Sequence, residues 1–318
     1  MSDRRPTYLV TGSFGCIGSW VLRHLVTRGV SAVSFDLSDD RRRLGLLMDP
    51  DEQERITFVQ GAITDFDKVL ATIREQRVTH IVHLAALQIP FCKENPVTGA
   101  HVNVVGTVNV FEAARQAGLK QVTYASSIAA FGAEKPGGGY HDPDTLYGVY
   151  KQANEGSARI YWQDHELSSI GLRPYTVYGV GRDQGLTSEP TKAMLAAAAG
   201  VPFEIGFGGR MQFHYASDVA LQFIESAAAP GDGAHVFNLG MPAVSVAEVV
   251  ELIRRVKPDS KITHVEKPLP FPEEFPSERL KEYLPATKET PLEQGVMETI
   301  SHFEKLLNDG KLSTHGSG

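Results

Sequence analysis

The chain has 318 residues, 42% hydrophobic and 22% charged, with thirty glycines, a composition that suits a folded protein with one or two cores and excludes disorder, collagen and coiled coil. Thirty-one basic against thirty-eight acidic side chains give a formal net charge of −7, so nucleic acid and membrane surfaces are poor partners and a small molecule is the expected one. Cys16 and Cys92 form no CxxC pair, which leaves no disulfide framework or thiolate metal site, and no apolar run nears the roughly 18 residues of a membrane span, so a cytoplasmic protein is expected.

From the N-terminus, short β-branched or aromatic runs at 8–10, 32–35, 57–60, 79–84, 121–125 and 168–172 alternate with helical patterns at 15–28, 41–48, 65–75, 100–117 and 146–165. This order predicts the α/β class: a doubly wound parallel sheet, the Rossmann fold, with helices on both faces. The strand runs lack period-two alternation, as strands buried on both faces do. After Arg173-Pro174 come glycine-rich loops, an alanine-rich helix at 191–200, a proline-dense stretch at 267–285 and an amphipathic helix at 292–307. Such proline density does not suit a parallel sheet. The expected division is a Rossmann domain over 1–175, a smaller mixed α/β substrate domain over 176–310 with some elements returning to the first, and a disordered tail at 311–318.

Between the first strand and first helix stands Thr11-Gly12-Ser13-Phe14-Gly15-Cys16-Ile17-Gly18, with glycines at GxxGxxG spacing. Glycines there allow a tight turn, close approach of a pyrophosphate to the backbone, and packing of helix on strand, while free N–H groups at the helix start meet the phosphate charge. Asp36 ends the second strand eighteen residues after Gly18, where a carboxylate accepts from ribose hydroxyls and repels a 2′-phosphate. The expected cofactor is therefore NAD. Arg41-Arg42-Arg43 could reach a 2′-phosphate, but beside Asp39 and Asp40 the run reads as a solvated helix face.

Tyr147 and Lys151 stand four apart and so share one helix face. A phenol with an ordinary pKa of about 10 becomes a base near neutrality only if its anion is favoured by roughly 3 units. Lys151 and the cationic nicotinamide are the candidate sources. The preceding strand ends in Ser126-Ser127 at the carboxyl edge of the sheet, and Ser127 is the hydroxyl expected to orient a substrate oxygen. His80, His83, His101 and His214 show no metal-ligand spacing, and no metal is expected.

With these residues the sequence resembles the extended short-chain dehydrogenase/reductase superfamily, in its NAD-dependent sugar epimerase/dehydratase branch. The likeness also rests on residues 61–65, His83-Leu84-Ala85-Ala86, residues 103–107, Phe131-Gly132 and Leu172-Arg173-Pro174, and is dense over the first 180 residues. It implies catalysis by Ser127, Tyr147 and Lys151, with Tyr147 as acid/base and Lys151 lowering its pKa and holding the nicotinamide ribose. It implies NAD contacts at Gly12, Phe14, Gly15, Cys16, Ile17, Gly18, Asp36, Ala62, Ile63, Leu84, Ala85, Ala86, Asn103, Tyr147, Lys151 and Pro174. It further implies a homodimer through the helices near 100–118 and 147–165.

Departures from the pattern bear on substrate. Ala62 replaces an acidic residue that contacts adenine in relatives, so Ile63 or backbone must serve there. Ile128-Ala129 follow Ser127 where sugar dehydratases carry an Asp-Glu pair, which removes the acid for elimination. The two diphosphate anchors of nucleotide-sugar enzymes fall on Thr176 and Met211, leaving Arg182 or Arg210 as substitutes from neighbouring positions. Gln88, Ser127, Thr176, Arg182, Thr187 and Arg210 are the expected substrate residues, and the loop 181–190 is a candidate specificity element. The leading expectation is an NAD-dependent dehydrogenase of a small carbohydrate-like substrate (sugar, sugar acid or polyol). A nucleotide-sugar epimerase with tightly held NAD and a non-catalytic NAD-binding regulator are the alternatives.

Overall fold

The computed structural model describes residues 5–132, 142–276 and 278–312. Of the expected tail, residues 313–318 lie outside the described part. The strands are β1 (Thr7–Thr11), β2 (Ser31–Asp36), β3 (Ile56–Gln60), β4 (His80–His83), β5 (Gln121–Ala125), β6 (Ser168–Arg173), β7 (Thr176–Tyr178), β8 (Phe203–Ile205), β9 (Arg210–Tyr215), β10 (Ala234–Asn238), β11 (Ala243–Ser245) and β12 (Ile262–His264). Among the described residues, seven of them form one parallel sheet in the order β10-β6-β5-β4-β1-β2-β3. This is the doubly wound α/β sheet, and the seventh strand, β10, returns to it from beyond residue 176.

The chain reverses direction between β1 and β4, so the loops after these strands diverge and leave a crevice at their carboxyl ends. On one face, Cys16–Thr27 packs against Ala216–Ala228. On the other lie Phe66–Glu75, Gly106–Gln116 and Leu146–His165 around Leu9, Phe111 and Tyr124, all fully buried. β6 is buried at all six positions, which accounts for its missing alternation.

Two small sheets stand beyond the crevice: β11-β9-β7, with β7 and β9 parallel and β11 antiparallel, and the parallel pair β12-β8. The helix Leu292–Asn308 packs on Glu189–Ala199. The core of this part is continuous with the first-helix side of the large sheet, from Val10 and Leu22 through Phe213 and Phe223 to Ile300. The helix expected over 100–117 contains a π-helical turn, His101–Val105, before Gly106–Gln116. Among the described residues no helix is long and apolar enough to cross a membrane.

Candidate active site

A cavity of about 690 Å³ opens at the carboxyl edge of the sheet, between the two parts of the chain. Its floor is the glycine loop. Gly12 has φ +64°, and a Cβ there would sit 2.6 Å from Ala85 N; a Cβ at Gly18 would collide with Gly12 O. Neither position admits a side chain. Gly15 caps the helix Cys16–Thr27 without a side-chain hydrogen bond, and its first turn carries no acidic residue. The helix start therefore presents free N–H groups and a positive dipole end, which suits an anion.

Asp36 reaches the same floor from the end of β2. Its Oδ2 accepts from Phe14 N at 2.9 Å and its Oδ1 from Ser38 N at 3.2 Å, so one carboxylate both shapes the glycine loop and faces the cavity. Cys16, Ile17, Ala62, Ile63, Leu84, Ala85, Ala86 and Pro174 line the cavity with the three glycines. Phe14 does not; its side chain is buried against Phe58, and its backbone serves the site. The crevice, the uncapped helix start and the carboxylate at the strand end together fit a dinucleotide.

Asn103 also lies behind the lining. It sits in the π-helical turn, a distortion that recurs at functional sites, where its Oδ1 accepts from Leu87 N at 2.7 Å and its Nδ2 donates to Leu87 O at 2.9 Å. It thus holds the loop after β4 by both backbone groups of one residue. The same loop is tied to β1, because Thr11 Oγ1 accepts from Leu84 N and Ala85 N. Thr107 Oγ1 donates to Asn103 O at 2.7 Å and so accepts from His83 Nε2 at 3.0 Å, which leaves His83 Nδ1 to accept from Thr11 Oγ1 at 2.7 Å. Burial, with Lys151 nearby, pushes the His83 pKa down to about 3 and keeps the ring neutral.

The helix Leu146–His165 starts at Thr145, whose Oγ1 accepts from Gly148 N at 3.1 Å. A Cβ at Gly148 would collide with Ala129 O, so glycine lets this helix press on the turn Ile128–Ala130. That contact brings Tyr147 into the cavity with Ser127, whose hydroxyl favours the phenolate. Lys151 is buried one turn on; its Nζ donates to Ala125 O at 2.6 Å and lies 5.5 Å from the Tyr147 ring centre.

Burial pushes the Lys151 pKa down to about 8, opposed by Cys92 and Glu155. Burial also pushes the Tyr147 phenol up, opposed by the Ser127 hydroxyl and the Arg182 guanidinium. Ser127 and Arg182 thus favour the Tyr147 anion, while Lys151 directs a hydrogen bond to the strand end.

Ser126 has a different role from Ser127. Its hydroxyl donates to Glu155, whose two oxygens also accept from Arg173 Nε at 2.7 Å and Nη2 at 2.5 Å. The Arg173 guanidinium lies 4.3 Å from the Phe131 ring centre. Ser126 is therefore committed to a buried ion pair, and Ser127 is the hydroxyl left to the cavity. Sequence reasoning missed Glu155, although its place four residues after Lys151 puts it on the Tyr147 face.

At the far end, Gln88, Ser127, Arg182 and Thr187 line the cavity together. Arg182 Nη2 donates to Thr187 Oγ1 at 3.3 Å, while its Nε is buried with no hydrogen-bond partner among the described residues. Thr176 and Arg210 are not brought to this site. Thr176 is fully buried, its hydroxyl donating to Met211 Sδ at 3.1 Å. Arg210 donates to Ala243 O at 2.6 Å and pairs with Glu248 and Glu273 off the cavity. Phe271, from the proline-dense stretch, reaches the lining unforeseen, beside Tyr175, whose hydroxyl donates to Pro272 O. The run Arg41–Arg43 divides: Arg42 pairs with Asp40 in solvent, Arg41 lies 3.6 Å over the Phe58 ring, and Arg43 turns into the cavity.

Residues 8–240 match the model of the NAD dependent epimerase/dehydratase family. UDP-glucuronate 4-epimerase 4 of Arabidopsis thaliana is 30% identical over 281 residues, 78% of this chain and 63% of that enzyme. The match thus spans less than two thirds of the plant relative. UDP-glucose 4-epimerase of Mycolicibacterium smegmatis is 30% identical over 243 residues, 73% of this chain and 76% of that one. The crystal structure of the Thermus thermophilus UDP-glucose 4-epimerase complex with NAD superposes with a TM-score of 0.78 at 24% identity, over 93% of this chain and 98% of that one.

Proposed function

The chain belongs to the NAD dependent epimerase/dehydratase family, and on that premise we propose that it is an NAD-dependent dehydrogenase that oxidises a carbinol of a small carbohydrate-like substrate. Gly12, Gly15, Gly18 and Asp36 hold the dinucleotide, with Ala62 and Ile63 beside its adenine. Bound NAD supplies the hydride acceptor. Ser127 holds the reacting oxygen and Tyr147 takes its proton. Lys151 keeps a positive charge beneath Tyr147 and meets the nicotinamide ribose. Two copies of the chain pair through an exposed apolar stripe, Leu146, Val149 and Ile160 on one helix with Val97 and Val105 beside it.

The observation that carries the substrate class is the state of the arginines. Arg182 is a cavity guanidinium whose buried Nε has no hydrogen-bond partner among the described residues, whereas Arg210 is engaged elsewhere and Thr176 is sealed by Met211. A buried diphosphate needs several cationic or N–H partners, while a single guanidinium matches a single carboxylate. Sugar acids such as aldonates and uronates are therefore the preferred class within the small substrates. A panel of aldonates, uronates, aldoses, polyols and UDP- and dTDP-sugars, read by NADH absorbance, tests this. NADH accumulating with a sugar acid supports it, and turnover confined to a UDP-sugar without net NADH overturns it.

The second reading is a nucleotide-sugar epimerase, in which the same three residues serve oxidation and re-reduction on the opposite face. It is favoured by the 30% identity to UDP-glucuronate 4-epimerase 4. Tightly retained NAD and absence of net reduction mark that outcome.

A further inference from the structure

Arg43 lies on the helix Arg42–Leu47 and touches both sides of the cavity. Its Nη1 donates to Phe14 O in the glycine loop at 3.0 Å. Its Nε and Nη2 both donate to Asp183 Oδ1, at 3.0 and 2.6 Å. Asp183 follows Arg182 on the loop between β7 and the helix Glu189–Ala199. The loops meet closely, since a Cβ at Gly181 would lie 3.9 Å from Arg43 Cδ and 4.0 Å from Cys16 Cα.

The base of the loop is fixed, because Trp20 Nε1 donates to Val180 O at 2.9 Å. Beyond it, Gly181 and Gly185 take φ of +89° and +99° on either side of Arg182 and Asp183. The segment between them is thus attached to the first domain's cofactor loop through the Arg43 guanidinium. Asp183 is half exposed and Arg43 one-fifth exposed as side chains. An ion pair of such exposure changes an equilibrium by only about 2- to 5-fold. A weak fastening suits a cofactor that must leave after each turnover.

We propose that Arg43 and Asp183 form a clasp that closes the loop bearing Arg182 over the dinucleotide, so that cofactor release and the placing of Arg182 are coupled through one ion pair. The inference rests on the reading of the cavity as an NAD site with Arg182 as substrate anchor. Arg43 and Asp183 are positioning residues in it, acting through Arg182.

The test is stopped-flow release of NADH, with the preloaded enzyme chased by excess NAD and followed by energy transfer from tryptophan. Asp183→Asn should speed release about 2- to 5-fold, and Arg43→Met should do at least as much. The double variant should be no faster than Arg43→Met alone, because both lesions break one contact. Raising salt should speed release from the wild type by a larger factor than from Asp183→Asn. KM for the sugar acid should rise in Asp183→Asn while kcat holds or increases. Release at the wild-type rate in Asp183→Asn, with NADH still bound, overturns the clasp and leaves the cofactor reading standing. A wild-type chain that binds no NADH overturns both.

Discussion

Tyr147 and Lys151 stand on one face of a helix, yet the Lys151 Nζ is 5.5 Å from the Tyr147 ring centre and donates to Ala125 O at 2.6 Å. The ammonium is thus anchored to the end of β5, beneath the phenol, rather than bonded to its oxygen. Burial raises the pKa of Tyr147 and lowers that of Lys151 to about 8. Below pH 8 the phenol is therefore held neutral while Lys151 keeps its charge, and the lowering that makes Tyr147 a base must be completed by what enters the cavity.

Tyr147→Phe should leave NADH affinity within about 2-fold of the wild type and lower turnover by the roughly 10²–10⁴ typical of a positioned acid/base. Fluorescence titration beside steady-state kinetics separates the two effects. Wild-type turnover in this variant would remove Tyr147 from the mechanism. Ser126→Ala should reduce stability and Ser127→Ala should reduce turnover, because the Ser127 hydroxyl favours the Tyr147 anion while Ser126 is held by Glu155.

Lys151 gives the fold a pH signature. Its folded pKa of about 8 lies below the ordinary value of 10.5, so between these pH values the unfolded chain holds more protons than the folded one. Stability from this group therefore rises as pH increases from 8 to 10.5 and is at its lowest below pH 8. Lys151→Met should remove that rise, and the difference in Tm between variant and wild type, measured across this range, should shrink as pH increases.

The opposite limb belongs to histidines. His83 and His214 are buried and neutral, with pKa values pushed down to about 3 by burial. Below the ordinary value of 6.5 the unfolded chain gains protons that the folded chain refuses, so stability falls as pH drops from 6.5 toward 3. Replacing His214, whose Nε2 has no partner among the described residues, by Gln should flatten the urea-unfolding midpoint over this interval. An unchanged slope would show that His214 accepts a proton without unfolding.

Asp36→Ala should shrink the preference for NAD over NADP by removing the carboxylate that repels a 2′-phosphate. It should also weaken NAD itself, since the same carboxylate accepts from Phe14 N in the glycine loop. Calorimetric titration with both cofactors gives the ratio. A wild-type chain that prefers NADP would overturn this reading and point to Arg43, which lines the same half of the cavity.

Arg182→Ala should raise KM for the acid substrate about 10- to 100-fold, the range expected for loss of a charge-assisted contact. Arg210→Ala should leave it within about 2-fold, because Arg210 is engaged off the cavity with Glu248 and Glu273. Titration with UDP and UDP-glucose completes the comparison. Micromolar binding of the UDP-sugar, lost in Arg182→Ala, would transfer the reading to the epimerase.

The alternation of apolar runs and helical patterns, the GxxGxxG turn, Asp36 and the Tyr147-to-Lys151 spacing were legible in the sequence by itself, because each depends on one element and its immediate neighbours. They carried the sheet, its carboxyl edge and the meeting of Ser127, Tyr147 and Lys151 in one cavity. What only the tertiary structure decided depends on partners distant along the chain. Met211 closes over Thr176 across 35 residues; Asp183 turns Arg43 inward across 140; Leu87 takes Asn103 out of the lining. Glu155 engages the Ser126 hydroxyl, although both serines line the cavity. A long polar side chain on a loop or helix end has several rotamers of similar energy, and the contact that selects one exists only after the two parts of the chain have packed around the crevice.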